Sequence, residues 1–295
     1  MALLNVDGLV KSYGRVRALR GVSFSIEPGE VFGYLGPNGA GKTTTLRIVL
    51  GLVRAGSGRV RLLDGDPSNA RVRTDIGYLP GELRLYGGLT AAALLDYFAG
   101  FRLRQPPVLR PRLLEALEVE PAVLNRRVKF LSHGTRQKLG LVIALQHDPR
   151  LLLLDEPTTG LDPLVQRAFR EVVTDFSRRG RAVFFSSHVL SEVEAVCGRV
   201  AILRAGELVA VETIESLRSR VVRRLQVRFR AGVPEDLART PGVTGSRLSG
   251  REATLWVRGD VNPVLRRIAR EDVEHFVFPE PELEDIFLTY YQERS

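Results

Sequence analysis

The sequence predicts an α/β fold on a mostly parallel sheet, followed by a small C-terminal α+β domain. Three observations predict it. Short apolar runs bounded by glycine or proline alternate with stretches whose apolar residues recur at three- and four-residue spacing, the signatures of strands and helices in turn. One run, residues 151–154, is wholly leucine, as expected of a strand buried on both faces of a sheet. From about residue 221 the texture changes to alternating apolar and polar positions separated by short helical patches.

Taken in order, residues 2–6, 22–26 and 31–35 read as strands, with Glu27-Pro28-Gly29-Glu30 as a turn. A glycine-rich loop begins at Gly36, and residues 44–52 read as a helix through Leu46, Val49, Leu50 and Val53. Residues 89–148 are mostly helical, with helices expected at 90–98, 111–117 and 135–147, so an α-rich insertion interrupts the strands. Strands return at 150–155, 181–186 and 200–204, with a helix at 163–178, which argues for helices on both faces of a parallel sheet. A helical connector at 213–220 leads to strands at 224–230, 242–248, 253–257 and 273–278, with helical patches at 234–240, 262–270 and 283–291. This is a β-α-β-β-α-β unit. The expected domains are therefore 1–215 and 216–295.

Composition narrows the function classes. The 295 residues exceed one minimal domain, and 44% hydrophobic with 26% charged residues is ordinary globular composition. No apolar stretch approaches the roughly 18–20 residues that cross a bilayer, and the N-terminus lacks a secretory pattern, so a cytosolic location is expected. The single cysteine, Cys197, excludes an internal disulfide framework and a multi-thiolate zinc site. The net charge of +9 comes almost wholly from arginines spread along the chain, lysine standing only at 11, 42, 129 and 138. No groove-reading motif accompanies that charge, so no nucleic-acid partner is expected, while an anionic membrane surface or a nucleotide suits the sign.

Gly36-Pro37-Asn38-Gly39-Ala40-Gly41-Lys42-Thr43 fits the phosphate-loop pattern, between a strand and a helix as that pattern requires. The glycines let backbone N–H groups close around phosphate oxygens, Lys42 neutralises β- and γ-phosphate charge, and the Thr43 hydroxyl ligates Mg²⁺. The leucine strand ends in Asp155 and Glu156, at the carboxyl edge where open α/β sheets bind nucleotides. Asp155 is expected to hold Mg²⁺ and Glu156 to activate the attacking water.

Leu131-Ser132-His133-Gly134-Thr135-Arg136-Gln137-Lys138 precedes that strand. Together with the phosphate loop, Asp155–Glu156, Gly160-Leu161-Asp162 and Ser187-His188, it resembles the nucleotide-binding subunit of the ATP-binding cassette transporters over about residues 1–215. The resemblance implies a P-loop NTPase cassette with an antiparallel β subdomain. It implies ATP and Mg²⁺ as ligands, Thr44 among the nucleotide-binding residues, and a second copy whose Ser132 and Gly134 reach the γ-phosphate held by the first. By the same resemblance Tyr13, just after the first strand, stacks on adenine, His188 contacts the γ-phosphate and the attacking water, and Asp162 links the two composite sites. Taken alone, Tyr13 reads as a packing residue and Ser132 and Asp162 as helix caps.

The chain departs from the family pattern in two segments. Glycine stands near Gly81 where a Mg²⁺-ligating glutamine is usual, with Glu82 as the candidate substitute, and His133 and Thr135 replace the usual glycine and glutamine of the signature. The C-terminal unit, with its segment Leu283-Glu284-Asp285-Ile286-Phe287-Leu288, resembles the accessory domain of drug- and antibiotic-export subunits, read as a regulatory or dimer-stabilising module. The function implied is an ATPase subunit, peripheral on the cytoplasmic face of the membrane, that dimerises around two ATP molecules. It would drive a separately encoded permease, with export of a drug, antibiotic or other hydrophobic compound favoured. The alternatives are a soluble cassette ATPase acting on nucleic acid or ribosomes, and a drug-sequestering binding protein.

Overall fold

The computed structural model describes residues 1–102, 106–220 and 222–279. It divides into two compact units, 1–212 and 213–295. In the first unit, strands β1 (Leu4–Tyr13), β2 (Val16–Ile26), β3 (Val31–Leu35), β4 (Ser57–Leu62) and β5 (Ile76–Leu79) are joined by helices α1 (Lys42–Val49) and α2 (Ala70–Arg73). The helical insertion contains α3 (Ala91–Gly100), α4 (Arg110–Ala116), α5 (Pro121–Leu124) and α6 (His133–Leu145). The chain then runs β6 (Leu151–Asp155), α7 (Pro163–Arg178), β7 (Ala182–Ser187), α8 (Leu190–Val196), β8 (Arg199–Arg204) and β9 (Glu207–Thr213).

A six-stranded sheet has the order β5-β6-β7-β3-β8-β9, and the pairs from β5 through β8 are parallel. Every residue of β3, β6 and β7 is buried. Alternation assigns their side chains to two faces. Phe32, Tyr34, Leu151, Leu153 and Phe184 join Leu46, Ile48 and Val49 of α1 in one core, where Phe24 of β2 stacks on Phe32 with centroids 5.3 Å apart. The opposite face meets α6, α7 and α8, as in the Phe169–Phe185 stack at 6.4 Å. Each leucine so buried contributes roughly 1.5–3 kcal/mol. Close backbone approach on this face requires glycine at 77, because a Cβ there would overlap the Ala144 carbonyl oxygen of α6 and lie 2.8 Å from Leu152 Cδ1.

The first strand is longer than its apolar run predicts. β1 continues through Asp7, Gly8 and Lys11 to Tyr13, so Tyr13 closes the strand instead of following it. It pairs antiparallel with both β2 and β4, and register shifts after Val6 absorb the polar residues that interrupt its alternation. This makes the three-stranded antiparallel sheet β2-β1-β4.

The second unit begins with α9 (Ile214–Arg220) and holds β10 (Arg223–Phe229), β11 (Val243–Ser249), β12 (Glu252–Val257), α10 (Asn262–Ile268) and β13 (Val273–Val277). Its sheet has the order β11-β12-β10-β13, with all pairs antiparallel. Leu225, Val227, Phe229, Leu255, Val257, Val264 and Ile268 form its core. The patch expected as a helix at 234–240 is only a 3-10 turn, Leu237–Arg239. Pro241 just beyond its end disfavours the helical conformation at Thr240, so an α-helical turn does not propagate there. The helix expected at 283–291 lies outside the described residues.

Candidate functional site

The loop from Gly36 to Gly41 connects the end of β3 to the start of α1. Gly41 caps α1 with φ +113, a conformation that favours glycine, and no side chain caps the helix, so its first N–H groups remain open to an anion. Pro37, Asn38 and Gly39 are exposed, while Ala40 is buried. Lys42 is only 5% exposed, and its Nζ donates to the carbonyl oxygens of Gly36 at 2.7 Å and Pro37 at 3.2 Å, spanning the loop from beneath. Thr44 follows on the first turn of α1, half-buried.

Five expected residues converge here. Thr43 Oγ1 donates to Asp155 Oδ2 at 2.8 Å. Glu156 Oε1 lies 3.4 Å from Lys42 Nζ and 3.2 Å from His188 Nδ1, so one carboxylate oxygen sits between the two. Glu156 has φ +50, a left-handed conformation uncommon for a non-glycine residue, immediately after the buried strand β6. A cavity of about 560 Å³ is lined by Thr43, Tyr78, Gly81, Glu82, Asp155 and Glu156, among others. Glu82 lies on its lining, highly exposed, with its carboxylate paired to Arg84 Nη2 at 3.3 Å. Gly81 sits against Asp155, where a Cβ would be 3.4 Å from Oδ2.

Two residues that sequence reasoning missed bear on Asp155. Ser186 Oγ donates to Asp155 Oδ1 at 2.6 Å, so both carboxylate oxygens of Asp155 are held. The signal was present: β7 is an apolar strand ending in two hydroxyls, Ser186-Ser187, just as β6 ends in two carboxylates. Tyr78 is the other. It lines the cavity, and burial, and then the negative charge of Asp155, push its phenol up to about 12.

The remaining expected residues lie outside this set of contacts. Tyr13 is half-exposed, with Lys11 Nζ 5.1 Å from its ring centroid. Ser132 caps α6, its Oγ accepting from Thr135 N at 3.1 Å. Asp162 caps α7, and the Val165 N–H it accepts at 3.0 Å holds its carboxyl below the usual carboxylate range. Gly134 abuts Gly160, whose carbonyl oxygen would be 2.8 Å from a Cβ at 134, and Gln137 Nε2 donates to Pro157 O at 3.1 Å. The start of α6 is thus packed on the loop that leaves Glu156.

Mg²⁺ fits this chemistry. Thr43 and Asp155 offer hard oxygen donors side by side. That suits an ion that takes few protein ligands beside substrate phosphates. No described helix is long and apolar enough to cross a membrane.

Residues 19–159 match the ABC transporter family. The chain is 34% identical to an uncharacterised ABC transporter ATP-binding protein of Synechocystis, across 95% of this chain and 80% of that protein. It is also 34% identical to the Nod factor export ATP-binding protein I of Rhizobium meliloti, across 97% and 87% respectively. A solved ATP-binding subunit of an ABC transporter is similar at 30% identity with a TM-score of 0.68, covering 73% of this chain and 92% of that one. A dimeric ATP-binding cassette in a post-hydrolysis state bound to ADP and Pi shares the fold, with 23% identity, a TM-score of 0.64, and coverage of 72% and 98%. The chain belongs to the ABC transporter family, as one of its ATP-binding, ATP-hydrolysing proteins.

Proposed function

We propose that the chain is the ATPase subunit of an exporter, peripheral on the cytoplasmic face of the membrane, and that two copies close around two ATP molecules to drive a separate permease. One observation carries the reading: Glu156 Oε1 lies within 3.4 Å of Lys42 and 3.2 Å of His188, above a strand end where Thr43 and Asp155 also meet. In this arrangement Lys42 occupies the loop carbonyls and the Glu156 carboxylate. A γ-phosphate would draw Lys42 away from both and free Glu156 Oε1 to take a proton from the attacking water, with His188 holding that water in line.

Thr43 and Asp155, with Glu82 as a third candidate, would hold Mg²⁺, which when bound neutralises charge on the β- and γ-phosphates. The phosphate-loop residues 36–44 would bind the triphosphate, and Tyr13 the adenine. Ser132 and Gly134 stand at a helix start outside this set of contacts, which supports a site completed by the signature segment of a second copy. Asp162 would join the two sites. Residues 1–215 then form the cassette and 216–295 a connector and accessory module. Export is favoured by the relative named for Nod factor export, with a drug, antibiotic or other hydrophobic compound as the cargo class.

Affinity capture of the chain from solubilised host membranes, with and without ATP, tests the reading. Stoichiometric co-purification of a polytopic membrane protein that stimulates ATPase activity is expected. Recovery of ribosomes or nucleic acid instead, with salt-sensitive binding, would replace it by a soluble cassette ATPase.

A further inference from the structure

Glu192 stands in the first turn of α8, outside the residues discussed above. Its two carboxylate oxygens are divided between two different strand ends. Oε1 accepts from Thr158 Oγ1 at 2.6 Å, and Oε2 accepts from Ser187 Oγ at 2.6 Å. Thr158 lies two residues beyond Glu156 on the loop leaving β6, and Ser187 immediately precedes His188 at the end of β7. Thr158 is 5% and Ser187 1% exposed, so both donors depend on protein partners. Ser187 Oγ also accepts from Val189 N at 2.9 Å, which fixes the turn that carries His188.

We infer that Glu192 is a positioning residue for hydrolysis, a single carboxylate that holds the Glu156 segment and the His188 segment in register. The inference rests on the roles proposed above for Glu156 and His188. Hydrogen bonds to an ionised carboxylate are about twice as strong as neutral ones. The clamp has something to hold. Glu156 sits at φ +50, a conformation that persists only where its surroundings enforce it. Its own backbone supplies one other tie across the sheet, from Glu156 N to Ser186 O at 3.1 Å. Without Glu192, the loop after Glu156 and the turn before His188 lose their shared anchor, and the 3.2 Å approach of His188 to Glu156 is free to vary. The phosphate-loop contacts of Lys42 and Thr43 include no bond to Glu192, so nucleotide binding should be spared while chemistry suffers.

Steady-state ATPase activity and nucleotide affinity of the full chain test this. Glu192→Ala and Thr158→Val should each lower kcat by about tenfold or more, as loss of alignment in a reacting site does, with the ATP dissociation constant within about threefold of wild type. Thr158→Ser keeps the hydroxyl and should recover most of the rate lost in Thr158→Val. Combining Glu192→Ala with Thr158→Val should add little to Glu192→Ala alone, because both remove the same bond. An unchanged kcat in Glu192→Ala, or equal losses of affinity and rate in Thr158→Val, would overturn the inference. If Glu192→Ala fails to fold, the Thr158→Val and Thr158→Ser pair decides it. Glu156→Gln serves as the control: full activity in that variant would remove the role assigned to Glu156 itself, whereas an inactive Glu156→Gln beside a fully active Glu192→Ala would refute the clamp alone.

Discussion

The Thr43 hydroxyl donates to Asp155 Oδ2 over 2.8 Å, joining the first turn of α1 to the end of β6 across 112 positions of sequence. Ser186 holds the other oxygen of the same carboxylate, and Asp155 is 2% exposed. Thr43→Val would leave Oδ2 buried without that donor. The expected outcome is a loss of about 1–3 kcal/mol in stability without ligand, and a further loss of Mg²⁺-dependent ATP affinity, while Thr43→Ser retains both. Denaturant unfolding and nucleotide titration with and without Mg²⁺ check the two effects separately.

Gly160 and His133 form a second long-range contact. Gly160 has φ +78, and a Cβ on it would overlap the His133 imidazole. Gly160→Ala should cost about 1–3 kcal/mol from the backbone conformation alone, with a steric cost added. Pairing it with His133→Gly should recover the steric part and leave the conformational part, as thermal unfolding of the two single variants and the double variant would show.

His147 supplies a pH dependence unrelated to catalysis. It is 6% exposed, its Nε2 bonds to Ile76 O at 3.2 Å, and its Nδ1 has no hydrogen-bond partner among the described residues. Burial first, and the nearby Arg102 charge second, lower its pKa from 6.5 to about 4. The folded state therefore keeps the ring neutral where the unfolded chain would protonate it. Stability is full above about pH 6.5 and falls as pH drops toward 4, by about 3 kcal/mol at the lower end. His147→Gln keeps a donor for Ile76 O and should show a shallower decline over the same window in urea unfolding at a series of pH values.

What could be read from the sequence was what short stretches encode. The phosphate loop is contained in residues 36–43 and the leucine run of β6 with its two terminal carboxylates in residues 151–156, so each is a local pattern that motif and periodicity locate. Only the first half of β1 is legible, because Gly8 and the register shift after Val6 break the alternation that marks a strand. The 3-10 turn at Leu237–Arg239 lies inside a stretch expected as a helix, because Pro241, which stops it, stands just beyond the patch. Glu192 was invisible for a different reason. A glutamate on a short amphipathic helix reads as a solvated surface residue until folding brings the Thr158 and Ser187 hydroxyls to it from two separate strand ends. Ser186 was nearer to legible, since polar residues closing a buried strand already marked Asp155.

Glu156 is held between Lys42 and His188, and it is proposed to activate water in a site that a second copy of the chain would close. Turnover and oligomeric state of Glu156→Gln in saturating MgATP test it most directly. The substitution keeps size and shape but removes the basic carboxylate, so kcat should fall by at least about a hundredfold while ATP still binds, and an ATP-dependent dimer should accumulate in light scattering. ATPase activity equal to wild type, or a chain that remains monomeric with ATP bound, would contradict the account.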